Sequence, residues 1–100
     1  MKDKVSTFVE NLKKEFGDSL KVSISEPYYP NGIWFIDITL NDTWIVVELS
    51  KIDLIGYSVN PDKSDMGFTH KPDCLVESME ILEGQCKVVL KKEQNEEVKN

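Results

Sequence analysis

The sequence predicts an α+β fold, a single antiparallel sheet of about five strands with two helices on one face, in the order α-β-β-β-β-α-β. Three observations predict it. Ile33–Leu40 and Thr43–Leu49 are rich in β-branched and aromatic residues and flank Asn41-Asp42, a two-residue turn that accepts positive φ. Apolar residues recur at three- and four-residue steps near the start of the chain and again after residue 73. Between them, short runs alternate apolar and polar residues, as half-buried strands do.

The first helix is expected from about Asp3 to Phe16, with Val5, Phe8, Val9, Leu12 and Phe16 as its stripe. Asp3 is the expected N-cap, and Gly17 ends the helix in a left-handed conformation. Leu20, Val22 and Ile24 alternate with Lys21, Ser23 and Ser25 in a first strand. Glu26-Pro-Tyr-Tyr-Pro-Asn-Gly32 cannot continue it, because two prolines and Asn-Gly break the ladder.

With Asn41-Asp42 as the whole loop, the hairpin register follows. Leu40 faces Thr43, Ile38 faces Ile45, Ile36 faces Val47 and Trp34 faces Leu49, a nearly all-apolar face. A turn at Lys51-Ile52-Asp53 leads to a fourth strand, Leu54–Val59, and Asn60 to Lys71 reads as a polar loop. A second helix is expected from Asp73, its acidic cap, to Glu83, closed by Gly84. Its stripe is Leu75, Met79 and Leu82, flanked by Cys74 and Ile81. The alternation of Cys86, Val88 and Leu90 predicts a last strand. Residues 1–92 form one domain, and the charged segment 93–100 a frayed tail.

Two helices with one stripe each cover one sheet face. The core face is then Leu20, Val22, Ile24, Trp34, Ile36, Ile38, Ile45, Val47 and Leu49. The opposite face stays open. There Phe35 faces Glu48, Asp37 faces Val46 and Thr39 faces Trp44, so an island of aromatic residues sits among carboxylates.

Charge narrows the classes of function. All 12 basic residues are lysine and 18 residues are acidic, giving a net charge of −6. Without arginine, and repelling polyanions, such a chain is not expected to bind nucleic acid or an anionic membrane; a basic protein surface suits it better. No apolar run reaches spanning length and the start lacks a signal-peptide core, so the expected compartment is the cytoplasm. Cys74 and Cys86 are expected as free thiols, and no cofactor or metal is expected.

The sites for chemistry are sparse. Asp37 and Glu48 are diagonal neighbours, a spacing at which paired carboxylates can do acid–base work, yet an open sheet face gives little desolvation to tune them. Asp62-Lys-Ser-Asp-Met-Gly67 echoes a calcium loop, but Met66 stands where an oxygen ligand is required. His70, the one histidine, lies in the polar loop, and no glycine-rich phosphate loop, GxSxG or HExxH is present.

The pattern Pro30-Asn-Gly-Ile-Trp-Phe-Ile-Asp37, with Val46-Val-Glu48 and Ile55-Gly-Tyr57, resembles small uncharacterised bacterial α+β proteins that carry an (Asn/Asp)-Gly-x-Trp-Phe-x-Asp strand. The resemblance implies a bacterial or phage origin and no activity. The leading expectation is therefore a small acidic protein-binding module, an inhibitor, immunity-type or regulatory factor. Its contact residues would be Phe35, Asp37, Trp44, Val46 and Glu48, with Tyr28 and Tyr29 on the preceding loop. The alternatives are a homodimer built on the same face and a small enzyme using Asp37 and Glu48.

Overall fold

In the computed structural model, which describes residues 2–28, 32–50, 54–61 and 72–98, helix α1 (Lys2–Phe16) opens the chain. Val5, Phe8, Val9, Leu12 and Phe16 are its buried residues, as their spacing dictates. The helix begins one residue before Asp3, which therefore sits in the first turn, where its charge suits the positive end of the helix dipole. Gly17 takes φ 72° and turns the chain through a short 3-10 segment, Gly17–Ser19, whose carbonyl at Gly17 accepts from the Leu20 N–H.

Four strands follow: β1 (Lys21–Ser25), β2 (Trp34–Leu40), β3 (Thr43–Leu49) and β4 (Ile55–Val59). A short fifth, β5 (Cys74–Leu75), completes one antiparallel sheet in the order β1-β2-β3-β4-β5. The hairpin register is the expected one, from Leu40 opposite Thr43 to Trp34 opposite Leu49, with Asn41 at φ 54° in the turn. The burial of β2 alternates strictly, so a slip of one residue would turn Trp34, Ile36, Ile38 and Leu40 out to solvent.

The fold class stands, but its last part is built differently from the expectation. The second helix, α2, is Met79–Val98 rather than Asp73–Glu83, and it absorbs the segment Cys86–Leu90 that alternation assigned to a strand. The fifth strand instead precedes α2. Ser78, not Asp73, caps the helix: its Oγ accepts the Ile81 N–H at 3.2 Å and its carbonyl the Leu82 N–H at 3.0 Å. Gly84 lies inside α2 rather than at its end, and the helical backbone continues through the charged residues 93–98. The turn at 51–53, His70, Tyr29 and the calcium-like segment 62–67 lie outside the described residues.

Leu82, Cys86 and Leu90 bring α2 onto the sheet beside α1, completing a core with Ile36, Ile38, Ile45, Val47 and Leu49. The Asn11 amide donates to Glu83 at 2.8 Å, and Lys91 pairs with Glu15 at 3.1 Å, so contacts advance together along both helices. Hydrogen bonding from Lys91 holds the Glu15 carboxyl below the usual carboxylate range. Thr43, the polar member of the hairpin's core face, gives its hydroxyl to Glu93 of α2 at 2.8 Å. One expected core residue is not covered: Ile24, on the edge strand β1, is 44% exposed because the core packing ends inside the sheet's margin.

Candidate functional site

The sheet face turned away from α1 and α2 is ordered in three rows. Lys21, Thr39 and Trp44 form the row nearest the hairpin turn; Ser23, Asp37, Val46 and Ser58 form the middle row. Ser25, Phe35, Glu48, Gly56 and Leu75 form the third. Strand pairing thus brings Asp37, Trp44, Val46, Glu48 and Phe35 together on one surface, as the hairpin parity requires.

Trp44 is half-buried and anchored. Its indole Nε1–H donates to Asp37 Oδ1 at 3.2 Å, so the ring leans from its own row toward the partner strand. Its backbone is held by Asn60, a residue at φ 49°. The Asn60 N–H donates to the Trp44 carbonyl at 2.6 Å, and the Trp44 N–H donates to Asn60 Oδ1 at 2.8 Å. The side-chain amide thereby takes the place of the backbone carbonyl that the left-handed turn carries away. Around these groups lies a shallow depression of about 670 Å³ lined by Asp37, Thr39, Asp42, Trp44, Asn60 and Pro61.

Phe35, 37% exposed, marks the other end of the face. A second depression of about 230 Å³ lies there, lined by Ser25, Glu26, Pro27, Tyr28, Ile33 and Phe35, with Tyr28 fully exposed. Val46 departs from expectation. It lies on this face but is only 4% exposed, so it supports the surface instead of offering contact area. An indole reaching Asp37, the cross-strand partner of Val46, lies along the row that holds Val46.

The far side of the face is crossed by the chain itself. The Asp73 N–H donates to Ser58 Oγ at 3.0 Å, and Pro72 lies over Gly56. Asp42, Thr39, Asn60 and Pro72 were not among the expected site residues. The parity that placed Thr39 opposite Trp44 was the available signal for one of them; the others depend on turns and a crossing that no periodicity encodes.

Chemically, the face joins aromatic rings to carboxylates. Asp37 and Glu48 are diagonal across β2 and β3, half-buried on an open surface, and one Asp37 oxygen is engaged by Trp44. Among the described residues, no cluster of three or more histidine, cysteine or acidic side chains could hold a metal. Both cysteines are free thiols, Cys74 exposed and Cys86 buried. Burial, then the charge of Glu83, pushes the Cys86 thiol up to about 12, so it stays protonated. Among the described residues, no helix is long and apolar enough to cross a membrane. No protein-family model, curated protein or solved structure matches the chain.

Proposed function

We propose that this chain is a small acidic module that binds another protein through the open sheet face, as an inhibitor, immunity-type or regulatory factor would. The observation that carries the reading is the anchored indole of Trp44 and the exposed ring of Phe35 on a face that neither helix covers. A large aromatic ring fixed by a hydrogen bond loses little conformational freedom on binding, which favours it as an interface anchor. With a net charge of −6 and Asp37, Asp42 and Glu48 on or beside the face, a basic partner surface fits best.

The test begins with affinity capture from the native host and continues with the purified partner. Trp44→Ala and Phe35→Ala are each expected to weaken the reconstituted complex by about 2 kcal/mol or more. Their circular dichroism and thermal unfolding should still report a folded chain. A complex that both folded variants form with unchanged affinity would remove the open face from the binding site.

A further inference from the structure

Ile24 is an exposed apolar residue that the core leaves uncovered, and its position on the sheet's outer edge gives it a role. The hydrogen-bond phase of the sheet fixes what that edge presents. Because the Asn60 N–H binds the Trp44 carbonyl, the even-numbered residues of β3 face β4 and the odd-numbered ones face β2. Their partners Trp34, Ile36, Ile38 and Leu40 are then committed to β3, and Phe35, Asp37 and Thr39 bond β1 through Ser25, Ser23 and Lys21. Val22 and Ile24 are left with their N–H and carbonyl groups turned outward from an edge strand, and their side chains on the helix side. The opposite edge is blunted: β5 has two residues and follows Pro72.

We propose that the β1 edge pairs with the same edge of a second copy of this chain, antiparallel about a two-fold axis through Ser23. In that register Val22 lies opposite the second copy's Ile24, and each pair exchanges both backbone hydrogen bonds. The half-buried Val22 and the 44% exposed Ile24 cover one another on the helix side. Charge complementarity selects this occupant and this direction. Lys21 opens the strand and Glu26 follows it, both exposed. Antiparallel pairing sets each Lys21 opposite the second copy's Ser25, one residue along the chain from its Glu26, whereas parallel pairing sets like charge against like. Sliding the register by two residues places Val22 opposite Glu26 in one direction, and in the other sets Ile24 opposite Leu20, which is already buried in its own core. The product is a continuous sheet across both copies with the two open faces side by side, and it does not depend on what those faces bind.

A five-residue strand pair is smaller than a standard interface, so association should depend on concentration. Sedimentation equilibrium of the purified chain should give twice the 11.5 kDa monomer mass at the upper end of a micromolar-to-millimolar series. Ile24→Lys should weaken dimerisation at least about tenfold with unchanged circular dichroism. Ile24→Pro, which removes an N–H that takes no part in the pairing with β2, should do the same if it folds. Lys21→Glu should weaken the dimer, and the double exchange Lys21→Glu/Glu26→Lys should restore it. A chain that stays monomeric throughout the series overturns the proposal. A dimer that survives Ile24→Lys, or one that the double exchange fails to rescue, overturns it too; dissociation by Trp44→Ala instead would place self-association on the open face.

Discussion

Gly56 is required for what it lacks. A Cβ built there would come 2.5 Å from Pro72 Cγ and 2.8 Å from Pro72 Cβ, with the Cys74 carbonyl oxygen at 3.1 Å. Neither a pyrrolidine ring nor a ladder carbonyl yields easily, so Gly56→Ala should destabilise the protein by about 1–3 kcal/mol, as overpacking does. Urea unfolding of Gly56→Ala, Pro72→Ala and the double variant checks the cause: much of the loss should vanish once Pro72 is already truncated. At this scale the sequence was partly legible. The hairpin parity placed Trp34 in the core and Trp44 on the other face, and both are found there. It could not place Pro72 over Gly56, because that approach joins residues 16 apart in sequence with no periodic signature.

Among the elements, the hairpin was legible and the C-terminal helix was not, for opposite physical reasons. A strand with one buried face has a single tolerable register, and a two-residue turn fixes it. By contrast, Cys86, Val88 and Leu90 satisfy a two-residue period, while Leu82, Cys86 and Leu90 equally satisfy a four-residue helical spacing. The helix uses the second pattern and leaves Val88 55% exposed. A helix ending at Glu83 would also have left only Gly84 and Gln85 to reverse the chain into a strand. Gly84 is exposed, helical and without neighbours within 4 Å of an added Cβ. Gly84→Ala should therefore stabilise the protein by about 0.5–1 kcal/mol, through the entropy of the unfolded chain. A rise in the urea midpoint at unchanged slope checks this. A glycine that closed the helix in a left-handed conformation would give the opposite sign.

For the molecule as a whole, the seam between sheet and helices sets a dependence of stability on alkaline pH. Tyr57 of β4 reaches across the seam and its hydroxyl donates to Gln85 of α2, next to the buried Cys86. Burial, then hydrogen bonding to Cys74, pushes the Tyr57 phenol up to about 12, and burial with the Glu83 charge does the same to Cys86. In the unfolded chain these groups titrate near 10.0 and 9.0, so in both cases the folded value is the higher one. The folded state therefore holds protons that the unfolded state has released, and stability must fall as pH rises. The contribution of each group is fully present below its unfolded value and is lost progressively up to about 12. Each group costs up to about 1.4 kcal/mol per pH unit once its unfolded form has titrated. Cys86 acts first, from near pH 9.0, and Tyr57 joins it from near pH 10.0. Urea midpoints measured across this range should fall in two stages. Cys86→Ala should remove the first stage, so that its alkaline decline begins about one pH unit later than that of the unmodified chain. An alkaline decline with the same onset in both proteins would mean that the Cys86 thiol is not what holds the proton at the seam.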